Sequence, residues 1–198
     1  MEDTPEPGLR ADARRNQERI LDAARVVIAE QGPDFGVPDV AARAGVGLRT
    51  VYRRFARRED LIGAVFERYV TDEVQPIVEA AVDRQDPWQA LAAGLEATVV
   101  TVAANSALLT AARDTALVTR ATAEGFVKPL SRALERAQAA GVARPDLDAS
   151  DFPSLIAMVV ATMLAVPDLE TEQPARWRRY LVLLLAGCRA SESGDPLP

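Results

Sequence analysis

Apolar residues recur along most of the chain at helical spacing, and no stretch alternates as a strand would. Ile20, Leu21, Ala24, Val27 and Ile28 form one stripe that Gly32-Pro33 ends, so the pattern predicts a first helix from Arg14 to Gln31. Two short helices, 37–44 and 48–55, flank Gly45-Val46-Gly47. A longer helix opens at Arg58, presents Leu61, Val65, Phe66 and Tyr69, and breaks or kinks at Pro76. Asp86-Pro87-Trp88 pairs an N-cap with a first-turn proline and opens a helix to Asn105. Ser106 caps a short helix to Asp114. A further helix, 119–140, carries Pro129 as an expected kink and closes at Gly141; Asp148 caps one through Val166, and the last covers 173–190. The expected fold class is all-α, with an arm at 1–13, a helical head at 14–73, a helical body at 74–190 and a disordered tail at 191–198.

With 198 residues, 48% apolar and 26% charged, the composition is that of a globular chain. Histidine is absent, which removes Ser-His-Asp and Cys-His pairs, histidine general bases and every imidazole metal site. Cys188 stands alone in the apolar run Leu181 to Cys188, so it is expected to be a buried, inert thiol in a reducing compartment. No metal and no cofactor are expected. The N-terminus has no apolar core of a signal peptide, and the longest nearly pure apolar run, Leu155 to Val166, has 12 residues against the ~18 needed to cross a bilayer. The expected location is the cytoplasm, without a membrane partner.

The net charge of −6 would argue against nucleic acid if it were evenly spread. It is not: Gly8 to Arg58 holds 11 arginines against six acids, and Arg43 to Arg58 holds six arginines and no acid. A basic head on an acidic body is one reading of this asymmetry, and a solvated arginine face is the other.

The segment Val37 to Phe55 then carries the most information. It reads as two short helices at a tight turn, with Ala41 small enough for close approach and Gly45 free to adopt the left-handed conformation. Val40, Ala44, Val46 and Val51 are expected to face the core. Gly47, Leu48, Arg49, Thr50, Tyr52, Arg53 and Arg54 are then left at the start and on the outer face of the second helix, where a recognition helix meets the major groove.

These residues, with Ile20 to Ala24, Ala44-Gly45-Val46, Thr50-Val51-Tyr52, Phe55 and Arg58-Glu59-Asp60-Leu61, resemble the TetR family of transcriptional regulators densely over about the first 70 residues. Gly36 and Gly47 depart from it, standing where the family usually has threonine and serine caps, at a cost of a few tenths of a kcal/mol each. The resemblance implies an N-terminal three-helix helix-turn-helix DNA-binding domain joined to a C-terminal helical ligand-binding and dimerisation domain. It implies phosphate contacts at Thr50, Tyr52 and Arg58, where a helix start also offers its own N–H groups. Arg49 and Arg53 are expected at base edges, with phosphate-only binding as the alternative. Arg10, Arg14 and Arg15 are either a DNA-reaching arm or a solvated helix start.

In the body, Trp88, Leu95, Thr98, Val102, Asn105, Leu109, Arg113, Phe126, Met158 and Thr162 are candidates for an effector pocket, because polar groups there sit among apolar ones. Leu155, Val159, Met163, Trp177, Tyr180, Leu181 and Leu184 are candidates for a dimer interface built from the last two helices. The expected partners are double-stranded operator DNA, a second copy of the chain and a small-molecule effector. The function that follows is a homodimeric repressor released from a near-palindromic operator. A regulator without a ligand, an activator, and a helical protein-interaction module are the alternatives, and an enzyme is the weakest.

Overall fold

The computed structural model describes residues 7–114, 120–164 and 176–190. Ten α-helices run through them: α1 Pro7–Gln31, α2 Val37–Ala44, α3 Leu48–Arg54, α4 Arg58–Tyr69, α5 Gln75–Val82, α6 Pro87–Ala103, α7 Ser106–Asp114, α8 Arg120–Ala139, α9 Phe152–Leu164 and α10 Arg176–Cys188. The expected tail 191–198, the arm residues before Pro7 and the predicted helix ends at Val166 and Gln173 lie outside the described residues. Among the described residues no strand forms, and no single helix is long and apolar enough to cross a membrane.

Two differences from the sequence expectation stand out. Helix α1 starts at Pro7 instead of Arg14, with Arg14 and Arg15 engaged along it, Arg14 to Glu18 at 3.1 Å and Arg15 to Asp12. The break expected at Pro76 falls just before it. A π-helical turn, Val70–Val74, precedes it, and the proline then falls in the first turn of α5, where its missing N–H costs little.

The helices divide into two compact units. One holds α1 to α3, α4 up to Arg68, and α7 from Ala107; the other holds Tyr69, the π-helical turn, α5, α6 and α8 to α10. The first division thus falls at Arg68, where the expectation put the boundary at 73, and α7 from Ala107, expected in the body, groups with the first unit.

In the first unit the apolar stripe of α1, with Ile20, Ala24, Val27 and Ile28, is buried, as are Val40 of α2, Val51 of α3 and Leu61, Ile62, Val65 and Phe66 of α4, and α2 packs against both α1 and α3. Val46 is only half-buried, because it lies in the turn and not on either helix. Arg68 fixes the far part of α4 to α1 through Asp22 at 2.6 Å.

In the second unit α6 is the central helix and packs against α5, α8 and α9, while α9 also packs against α10. The side chain of Asp86 accepts from the Gln89 N–H at 2.7 Å and caps α6, as the sequence predicts. Asp148 likewise accepts from Ser150 N–H and its own N–H is held by Asp151, a reciprocal box that opens a 3-10 turn before α9. Gly94 sets the distance between helices: a Cβ there would stand 2.5 Å from Val82 Cγ1 on α5 and 2.8 Å from Leu130 Cδ2 on α8. Helix propensity alone favours Gly94→Ala by ~1 kcal/mol, whereas overpacking costs ~1–3 kcal/mol. We expect packing to win, with Gly94→Ala lowering the urea midpoint at unchanged m; a raised midpoint would mean that α5, α6 and α8 separate without cost.

Candidate nucleic-acid interface

The turn between α2 and α3 decides where α3 points. Gly45 takes φ 63°, and the Gly45 N–H donates to Ala42 O at 3.2 Å while the Val46 N–H donates to Ala41 O at 3.1 Å, the two bonds of a Schellman end. From α1, Arg19 Nη2 donates to Ala44 O at 2.5 Å and to Gly45 O at 3.3 Å. A carbonyl-rich helix end is thereby held by a cation from the neighbouring helix. Nothing in the residue pattern singled out Arg19, since its role rests on a contact 25 positions away.

On α3 itself Val51 faces inward, and Leu48, Arg49, Tyr52 and Arg53 are exposed. Leu48 and Tyr52 lie one turn apart, as do Arg49 and Arg53, so the outer surface is a band of two apolar and two cationic groups. Thr50 is half-buried beside them, and Arg54 turns back to donate to Gln17 on α1. Neither Gly47 nor Gly36 supplies a side-chain cap, as expected.

Arg58 behaves differently from a free phosphate ligand. Its Nε donates to Phe35 O at 3.2 Å, its guanidinium lies 4.5 Å from the centroid of the Phe35 ring, and its Nη2 is enclosed without a hydrogen-bond partner among the described residues. The side chain thus pins the start of α4 to the segment that enters α2. Arg57 next to it is exposed, with its backbone N–H held by Asp60 at 3.0 Å and its guanidinium only loosely paired with the same carboxylate at 3.4 Å. Arg43 is occupied as well: it forms a two-point pair with Glu30 at 2.5 and 3.0 Å, and this pair holds the Glu30 carboxyl below its usual range.

The expected pocket residues divide. Trp88, Leu95, Thr98 and Val102 are buried, Asn105 and Leu109 half-buried. The Thr98 hydroxyl donates to Gly94 O at 2.8 Å within its own helix. Arg189 covers Trp88 at 4.3 Å from the ring centroid. Met158, expected in the pocket wall, is instead 55% exposed, and Thr162 lies on the same outer face of α9. The side chains of Arg113, Phe126 and Met163 lie outside the described residues.

The interface candidates need a correction too. Val159 and Leu181 are buried inside the protomer, while Leu155, Trp177 and Leu184 are half-buried and Tyr180 is exposed. The outward stripe of α10 is Arg179, Val182, Leu183 and Ala186, with Val182 and Leu183 60% or more exposed. Val159 and Leu181 thus pack within the protomer, and α10 carries a second apolar stripe besides the expected one. Cys188 is buried, and burial pushes its thiol pKa up, with Arg144 opposing in part.

Residues 20–65 match the model of bacterial regulatory proteins of the tetR family, and residues 86–190, over half of the chain, match that of the transcriptional regulator SbtR-like C-terminal domain. The chain belongs to the TetR family of transcriptional regulators. As a TetR-family member it is a DNA-binding regulator of transcription. It is 42% identical over 82 residues to the HTH-type transcriptional repressor LfrR of Mycolicibacterium smegmatis, a match that spans 41% of this chain and 40% of that repressor. Among solved structures it is similar to the TetR regulator SCO0520 from Streptomyces coelicolor, with 27% identity, TM-score 0.57 and coverage of 88% of this chain and 99% of that one. It also shares its fold with FadR from Bacillus subtilis, solved in complex with stearoyl-CoA, at 23% identity, TM-score 0.68, and coverage of 86% and 98%.

The TetR-type head lets the roles of two adjacent arginines be separated. Arg58→Ala should lower the thermal midpoint, since it removes a cation–ring contact of ~1–2 kcal/mol together with its carbonyl bond. Arg57→Ala should leave the midpoint unchanged and make the log–log salt slope of DNA binding shallower by about 0.9, one phosphate's share per subunit. Melting followed by circular dichroism and binding titrations at four salt concentrations check both, and the assignment fails if the two effects are exchanged.

Proposed function

We propose that the protein is a homodimeric repressor that acts in the cytoplasm, binds a near-palindromic operator through α3 and is released by a small apolar or amphiphilic effector. The observation that carries this reading is the outer face of α3, where Arg49 and Arg53 stand exposed beside Leu48 and Tyr52 in a segment with no acidic residue. A guanidinium pairs with guanine O6 and N7 through two hydrogen bonds, and a tyrosine hydroxyl suits a phosphate. Replacing Arg49 or Arg53 with alanine should cost ~1–3 kcal/mol and relax preference at one position per half-site. Equal losses on operator and random DNA in an electrophoretic titration would remove the base-reading role.

One seven-residue helix covers too few base pairs for useful specificity, so two copies have to be held about one helical turn of DNA, ~34–36 Å, apart or at a multiple of it. The outward face of α9 and α10, with Met158, Val182 and Leu183 exposed beside Ala157, Ala161 and Ala186, supports a four-helix interface there. Leu183→Asp is expected to give monomers by light scattering and to abolish operator binding while helicity is retained. The native protein behaving as a monomer at micromolar concentration and still binding one sequence specifically would sink this reading.

For the effector, only differential affinity for the two states moves the equilibrium, and a coupling of ~1–3 kcal/mol changes operator affinity about 5- to 150-fold in both directions of the linkage. The observation that favours a regulator without a ligand is Thr98, whose hydroxyl is already satisfied inside α6. Calorimetry with apolar and amphiphilic metabolites in the presence and absence of operator separates the two.

A further inference from the structure

We propose that Leu48 reads the 5-methyl group of a thymine in each operator half-site, and that Gly47 lets it come close enough to do so; the inference rests on α3 being the DNA-reading helix. Leu48 is the first residue of α3 and is 40% exposed, although the residues from Arg43 to Arg58 are otherwise dominated by arginine. Leu48 leaves a large part of its apolar surface outside the protein core, and it adds nothing to the neutralisation of phosphates. In the major groove one base-pair feature rewards such a side chain, the thymine methyl, which an apolar group covers while the neighbouring acceptors of guanine are taken by arginine. The i, i+4 partner of Leu48 is Tyr52, and Arg49 and Arg53 follow each by one position, so apolar and guanidinium groups alternate along the face presented to the groove.

Gly47 adds an independent observation. Its φ of −68° and ψ of 144° suit any residue, and a Cβ there would meet only Thr50 Oγ1 at 3.9 Å. Nothing inside the protein therefore requires glycine, and serine, threonine or aspartate at this N-cap position would stabilise α3. What the missing side chain provides is room outside: the start of α3 can approach base edges without a group standing in front of Leu48.

The experiment uses the full-length protein and duplexes enriched by it from a random library. Each thymine of the enriched half-site is replaced in turn by deoxyuridine, which deletes the methyl and leaves every hydrogen-bonding group unchanged. We expect one symmetric replacement to raise Kd about fourfold per half-site, the factor that burial of one methylene-sized group gives, or roughly 15-fold for both. Leu48→Ala should bind the thymine and deoxyuridine duplexes equally, while Tyr52→Ala keeps the difference. If every deoxyuridine duplex binds the native protein as tightly as its thymine parent, no methyl is read and the proposal is overturned. If Leu48→Ala retains the full difference, another side chain reads the methyl and the assignment to Leu48 is overturned. A library that yields no enriched sequence would instead bring down the operator reading on which the proposal stands.

Discussion

The left-handed turn at Gly45 is the constraint on which the head depends. At φ 63° the chain reverses between α2 and α3 with both Schellman bonds made, and Arg19 reaches across from α1 to take up the Ala44 and Gly45 carbonyls. A side chain at position 45 would suffer twice: the conformation disfavours any Cβ, and the atom would stand 2.8 Å from Arg19 Nη2. Because α3 is only seven residues long, its own hydrogen bonds cannot fix its direction; the turn, Val51 in the core and the Arg54 to Gln17 contact do so together. The exposed band of Leu48, Arg49, Tyr52 and Arg53 inherits its placement from those three.

The same device recurs in the second unit. Gly141 closes α8 at φ 69° with Gly141 N–H on Gln138 O and Val142 N–H on Ala137 O, both at 2.9 Å. Gln138 then uses its side-chain amide to collect the carbonyls of Arg144 at 3.0 Å and Leu147 at 2.9 Å, which shapes the path from α8 to α9. The end of α10 is tied to that path by Arg144 N–H on Cys188 O at 3.0 Å and Ala190 N–H on Val142 O at 3.1 Å. With its C-terminal end fixed and Leu181 and Cys188 packed inward, α10 has no freedom about which stripe faces out.

What the sequence made legible follows from how local each cause is. Caps at Asp86 and Asp148, the glycine ends at Gly45 and Gly141, and the inward valines of α2 and α3 all act within a few residues, and spacing alone encodes each of them. The positions of Arg19 and Arg58 depend on partners 25 and 23 residues away, which spacing does not encode. The two faces of α10 are harder to tell apart: Trp177, Leu181, Leu184 and Cys188 form one apolar stripe and Val182, Leu183 and Ala186 a second, so beyond the arginines at its start the helix has no polar side by which hydropathy orients it. The π-helical turn before Pro76 had no sequence signal beyond the proline, which the turn accommodates downstream.

A count of arginines also overstates the charge available to DNA. Six lie between Arg43 and Arg58, yet Arg43 is matched by Glu30 through two bonds, and Arg58 is folded onto the Phe35 ring and carbonyl with one amino group enclosed. Arg54 keeps its charge, because Gln17 is neutral, but its direction is set by that contact. Counterion release scales with phosphates neutralised, not with positive residues in the segment, so of the four that remain, Arg49, Arg53, Arg54 and Arg57, only those that meet phosphates and not base edges would add to the salt dependence. The other two arginines do structural work that holds the first four in register, and this division explains how a chain with a net charge of −6 can keep a cationic face that is both small and well ordered.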